Sequence, residues 1–250
     1  MAWTRRDVEA LLAGGALAAL LSAPASSAEA PEAGVGGSVS LGSHRYSRVA
    51  LFGDAQWRLS DFEPYAWAEL SRDSYERELA FGGGAWKDLG GGVRAKGGLG
   101  AAVGRVDDSE ANAASFLAEA ALERRLQSGP TLGADYHLTA GDIGGPEAPR
   151  VVENTVSGRA RGRRTSTTTE TQSFTLHELA GYIRLPLGGP TLGLRGGVYF
   201  PSYDGRVFSE TASLKIPLNE RLWLTPSFTL EQATDDDRAY VALSLYYALD

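Results

Sequence analysis

The chain has 250 residues, a formal net charge of −7 and no cysteine. Those values exclude a disulfide scaffold and a thiolate metal site, argue against general nucleic-acid binding, and fit an oxidising compartment. No apolar run reaches the roughly 18 residues of a membrane-spanning helix, but a barrel stays open because lumen-facing polar residues dilute its apolar signal.

Residues 1–28 read as a cleaved export signal. Arg5 and Arg6 precede the apolar run from Ala10 to Leu21, which is too short to cross a bilayer, and Ser26-Ser27-Ala28 is a fitting cleavage site. Thr4-Arg5-Arg6-Asp7-Val8 resembles a twin-arginine signal, although Glu9 stands where a hydrophobic residue is usual. Cleavage removes two Arg, one Asp and one Glu, so the mature charge stays at −7. Residues 29–34 form a short Pro/Ala/Gly leader.

From residue 35 to residue 250, segments with period-two alternation follow one another with little between them. Such alternation gives a strand one apolar and one polar face. Val35–Leu41 is a short first strand. In the second, Val49, Leu51, Gly53, Ala55, Trp57 and Leu59 oppose Arg48, Phe52, Asp54, Gln56 and Arg58. Tyr65–Ser71, Leu79–Lys87 and Val93–Val103 follow, the last with Arg94 and Lys96 on its polar side. Phe116–Leu126 has the composition of a helix, yet Phe116, Ala118, Ala120 and Leu122 alternate with Glu119, Glu123 and Arg125, which reads as strand. The segments around Asp135, Glu178, Arg195 and Lys215 continue the rhythm. The final hairpin carries it furthest: Leu222, Leu224, Phe228 and Leu230 share a face, as do Val241, Leu243, Leu245, Tyr247 and Leu249. The total is about twelve strands, an even number as bacterial barrels require.

Short turns (Ser60–Glu63, Asp88–Gly92, Gln127–Pro130, Leu187–Pro190, Pro217–Glu220) alternate with longer or more charged connections, of which residues 142–172 form the longest. Both termini fall on the short-turn side, so the first and last strands would pair and close the sheet. The pattern resembles bacterial outer-membrane β-barrels as a class. That resemblance implies an all-β fold, a single closed antiparallel up-and-down transmembrane β-barrel in the outer membrane of a Gram-negative bacterium. It also implies lipid and lipopolysaccharide around the barrel and insertion by the barrel assembly machinery. Tyr246 and Tyr247, with Trp57, Tyr136, Phe200 and Phe208, would supply interfacial girdles. The ending Tyr246-Tyr247-Ala248-Leu249-Asp250 departs from the terminal aromatic common in this class.

With the polar face inward, Arg58, Arg94, Lys96, Arg125, Arg184, Arg195 and Lys215 fall toward the short-turn end. Glu69, Glu119, Asp135, Glu178 and Glu231 fall higher. A basic lower vestibule under a more acidic upper lumen is the expected layout, and rings of charge select solutes of opposite sign. A narrow channel or export/uptake pore for small or polymeric anionic solutes, a polysaccharide among them, is the leading reading. The alternative is that these charges pair with one another in a non-conducting structural or surface-interaction barrel. Arg159, Arg161, Arg163 and Arg164, followed by the Ser/Thr run Thr165–Thr169, would meet phosphates or an anionic polymer from the long loop, or stay solvated.

A lipid-modifying enzyme is a further alternative. His137 sits on the lumen parity beside Asp135, His177 on the outward parity beside Glu178, and His44 in an outer turn. Spacing forces no serine into reach of His177, as nucleophilic catalysis would need. Three dispersed histidines match no metal-ligand spacing, and no cofactor is implied. The twin-arginine-like leader also leaves a soluble periplasmic β-protein as a reading.

Overall fold

A computed structural model describes residues 32–43, 46–59, 61–74, 76–106, 112–146, 169–202, 206–233 and 237–249. The leader 1–28, His44 and Arg159, Arg161, Arg163 and Arg164 lie outside the described residues. Twelve strands run in order: β1 (Glu32–Gly42), β2 (Ser47–Gln56), β3 (Phe62–Asp73), β4 (Glu76–Gly90), β5 (Val93–Val106), β6 (Asn112–Arg125), β7 (Thr131–Pro146), β8 (Thr169–Pro186), β9 (Thr191–Pro201), β10 (Val207–Pro217), β11 (Leu222–Gln232) and β12 (Asp237–Leu249). Each pairs antiparallel with its sequence neighbours, and β1 pairs with β12 from Ala33↔Leu249 to Gly42↔Tyr240. The sheet therefore closes without an edge, as a membrane-spanning sheet must.

The layering is inverted relative to a soluble domain. Among the described residues the buried apolar side chains are alanines only, and no large side chain is fully buried. Large apolar residues instead cover the outside: Leu99 is 61% exposed, Val241 60% and Leu243 50%. An exposed apolar surface of this extent marks contact with lipid. Among the exceptions on the outward face are Glu210, flanked on β10 by Phe208 and Ala212, and His177 on β8.

Three boundaries differ from the sequence reading. The barrel begins at Glu32, because Ala33 and Gly34 already pair with β12, so the leader is shorter than residues 29–34. The loop expected over 142–172 narrows to residues 147–168, because the ladder between β7 and β8 continues to Pro146↔Thr169. The strict alternation of short and long connections does not hold either: β3 and β4 are joined across residues 74–75. The 147–168 connection and the termini do lie at opposite ends, which assigns the termini to the periplasmic side by the usual barrel asymmetry. At that end Gly90, Gly91 and Gly92 take φ of 84°, 63° and 76°, a left-handed path that lets β4 reverse tightly into β5.

Candidate functional site

The ladder fixes which side chains share the lumen. Glu63, Tyr65 and Glu69 project inward from β3, Trp86 from β4, and Arg94 and Lys96 from β5. Glu119 and Glu123 come from β6, Asp135 and His137 from β7, Glu178, Tyr182 and Arg184 from β8, and Arg195 from β9.

Near the periplasmic end, Arg94 pairs with Glu63 and lies 3.8 Å from Glu123. Gln56 donates to Glu63 at 2.5 Å. Glu123 also lies 3.4 Å from Arg184 and accepts the Tyr182 hydroxyl at 3.0 Å. One layer higher, Lys96 meets Glu119 at 2.6 Å, and the Tyr65 hydroxyl donates to the same carboxylate. Arg195 bridges Asp135, at 2.7 Å, and Glu178, while His137 lies 3.5 Å from Asp135. Aromatic faces carry the cations: Arg94 sits 4.9 Å from the Trp86 centroid, Lys96 4.6 Å from Tyr65, and Arg184 4.7 Å from Tyr182.

Glycine makes this layout possible. Tyr65 is the direct cross-strand partner of Gly84, and a Cβ at Gly84 or Gly98 would collide with its hydroxyl. The ring can therefore lie flat along the wall and reach Glu119 three strands away. Tyr246 crosses Gly34 in the same manner. Both rings thus lie over glycines of the barrel wall.

The basic floor expected from the sequence is corrected on this point. Glu63 and Glu123 descend into it, so Arg94 and Arg184 are neutralised within their own layer, and Lys96 and Arg195 are tied to the acidic residues expected above them. A charge in a narrow lumen gives up hydration, and an opposite charge at hydrogen-bond distance offsets part of that cost. Arg58 is at the rim, 2.7 Å from Glu32, with both side chains more than 60% exposed. Arg125 is exposed at the end of β6, and Lys215 lies 5.0 Å from the Trp223 ring. Glu69 pairs with Arg48 in the outer half, and Glu231 accepts the Tyr240 hydroxyl at 2.9 Å. A cavity of about 110 Å³ beside Arg48 is lined by Ser71, Asp73, Glu76 and Glu78.

Sequence reasoning missed Glu63, placed in a turn, and the roles of Tyr65, Trp86 and Tyr182. The parity of β3 was the available signal for Glu63. Tyr246 points inward, tilted against Trp223 with ring centroids 5.8 Å apart, and so leaves the girdle to Tyr247 and others. His177 faces outward, with Nδ1 2.7 Å from the Tyr136 hydroxyl.

No family model matches this chain, and no curated protein sequence does. Solved structures do match. The NanC porin aligns at a TM-score of 0.59 and 9% identity, covering 87% of this chain and 100% of its own. The fold is that of the outer-membrane porins. The KdgM porin aligns at 0.54 and 8% identity, covering 87% of this chain and 99% of its own, and has also been solved with disordered oligogalacturonate. The toluene transporter TodX of Pseudomonas putida aligns at 0.52 and 8% identity, covering 92% and 91%.

Proposed function

We propose that this chain is a narrow, water-filled channel of the Gram-negative outer membrane that passes small polar solutes, acidic sugars among them. One observation carries the reading: among the described residues no large side chain is fully buried, so the bore is lined, not packed. The side chains of Glu123, Asp135, Glu178 and Glu119 keep 11%, 13%, 14% and 16% of their surface accessible, so none of these paired acids is wholly enclosed, although the Glu178 Oε1 that faces Arg195 is itself buried. Guanidinium and ammonium groups laid over aromatic rings suit a solute with a carboxylate and a flat sugar face. The KdgM porin, which shares the fold and has been solved in complex with oligogalacturonate, supports the same solute class. In this reading the leader directs export, the barrel assembly machinery inserts the mature chain, and Arg159, Arg161, Arg163 and Arg164 draw anions to the outer mouth.

A second reading has its own observation. The outer half of the lumen holds Glu69, Asp73, Glu76, Glu78, Glu178 and Glu231 on inward positions, against Arg48, Arg195 and Arg238. That surplus favours cations entering from outside. Reversal potentials of purified protein in planar bilayers under a KCl gradient decide between the two. Chloride preference is expected for the first reading and potassium preference for the second; folded protein that carries no current would sink both.

A further inference from the structure

The membrane-facing side of β8, β9 and β10 carries two ionisable side chains, one on each side of β9. Glu210 faces outward from β10 between Phe208 and Ala212, and His177 faces outward from β8 beside Leu179. No described side chain pairs with Glu210. The Tyr136 hydroxyl engages His177 at Nδ1, 2.7 Å away, which leaves Nε2 without a described partner. An ionisable group facing lipid is costly, and such groups are kept where a partner meets them.

Between the two groups the wall is hollow. The outward row through Glu210 runs Gly181↔Gly196, Gly196↔Glu210 and Glu210↔Leu230. A Cβ at Gly196 would meet nothing within 4 Å. A hollow of about 520 Å³ opens over these glycines, walled by Ile183, Leu194, Phe228 and Leu230.

Glu210 and His177 also stand near one level. The Glu210 row lies three residues from the periplasmic end of β6, at Leu122, and two from the outer end of β11, at Leu230. It therefore climbs outward from β6 to β11. Two strand spacings of about 4.8 Å at a tilt of about 40° put Gly181 about 6 Å below Glu210. His177 lies four residues further out along β8, which restores about 10 Å. The remaining difference of about 4 Å is within reach of the two side chains.

A two-fold axis along the membrane normal, in front of β9, sets β8 of one copy against β10 of another. In such an isologous contact residue i meets j and j meets i. Tilted strands that face one another cross steeply, so β9 meets its twin at one point, and Gly196 lets the backbones close there. We propose that this face is the interface of a homodimer, in which Glu210 and His177 hydrogen-bond across the axis, twice. Tyr136 donates to Nδ1, so the ring proton sits on Nε2, the donor that the second copy's Glu210 requires. The interface takes its membrane from the outer-membrane fold and holds whether or not the bore conducts.

Native mass spectrometry of the barrel released from mild detergent, with oxidative crosslinking in lipid vesicles, tests this. Wild type is expected at twice the mass of the mature chain. Gly196→Leu adds bulk where its own barrel has open space, so the barrel should fold and the dimer fraction should fall at least about tenfold. Glu210→Gln and His177→Ala should each weaken association about tenfold, and both together no more than either, because they remove the same pair. The chain has no cysteine, so copies with His177→Cys mixed with copies with Glu210→Cys should crosslink. Neither variant alone should, nor should Leu243→Cys on β12.

Wild type at the mass of one chain, equal crosslinking through Leu243→Cys, or a dimer indifferent to Gly196→Leu would each overturn the proposal. A bound amine or lipid that Glu210→Gln releases, with no second chain present, would give the hollow another occupant and overturn it as well. Single-channel conductance of the same variants, expected at the wild-type value, keeps this outcome separate from that of the channel reading.

Discussion

From β3 to β9 the lumen wall is built from charges that hold one another. From β10 through β12 to β1 its middle carries hydroxyls and glycine instead: Thr211, Ser213, Thr225, Ser227, Thr229, Ser244, Ser38 and Gly36. Both walls arise from the same period-two alternation, and both are wet. They differ in what each side chain needs. A carboxylate at Glu123 or Asp135 is stable there because a cation lies within about 4 Å of it. A hydroxyl is satisfied by water or by a neighbour, as when Thr211 Oγ1 meets Thr229 Oγ1 at 2.9 Å. The charged wall is therefore a network that fails at any one member, and the hydroxyl wall is a set of independent positions. The side chains there are also smaller than Tyr65, Trp86 and Tyr182 on the charged wall.

The sharpest way to break this contrast is to remove a cation shared by two enclosed acids, Arg195 between Asp135 and Glu178. Arg195→Leu leaves Asp135 and Glu178, 13% and 14% exposed, facing each other with no guanidinium between them. Breaking a buried pair costs about 3–5 kcal/mol, and lumen water lowers that here to about 2–3 kcal/mol. Urea unfolding from lipid vesicles should report a loss of that size, and Arg195→Lys should recover part of it. A loss under about 0.5 kcal/mol, the range of an indifferent surface change, would mean the network is not structural.

A smaller effect separates lining from filling. Gly98→Val places a branched side chain where the Tyr65 hydroxyl lies, so the ring must swing into the bore and release Glu119. Overpacking of this kind costs about 1–3 kcal/mol, and single-channel conductance should fall with it. Gly97→Ala is the control, because a Cβ at that outward position meets nothing within 4 Å. Equal conductance in Gly98→Val and wild type would show that the passage does not run past Tyr65.

The parity of almost every strand was legible in the sequence, even where propensity pointed elsewhere. β6 contains Ala118, Glu119, Ala120, Ala121, Leu122, Glu123 and Arg124, good helix formers all, yet it forms a strand because only a strand presents Phe116 and Leu122 to lipid and Glu119 to the lumen. Height was not legible. Strands in a closed barrel are tilted, so counting residues from a turn does not give a level. The register sets Arg94 directly opposite Glu123, which counting had not paired. The upper β7–β8 hairpin was also hidden, since Thr169-Glu170-Thr171-Gln172 has no apolar alternation to announce a strand. Alternation records contact with lipid, and a ladder that leaves the bilayer loses that signature while keeping its hydrogen bonds.

The mildest test falls on the other wall. Thr211→Val together with Thr229→Val deletes both hydroxyls of their shared hydrogen bond and keeps the shape. Replacing both partners is nearly neutral, so stability should change by less than about 1 kcal/mol, with each single variant costing slightly more than its half-share because it strands one hydroxyl. Two valines dry a strip of the passage without adding charge, so conductance should fall slightly while the chloride-to-potassium ratio stays the same. If that ratio moved, the hydroxyls themselves would be part of the ion selection. The division into a charged wall of coupled members and a neutral wall of independent positions would then have to be redrawn.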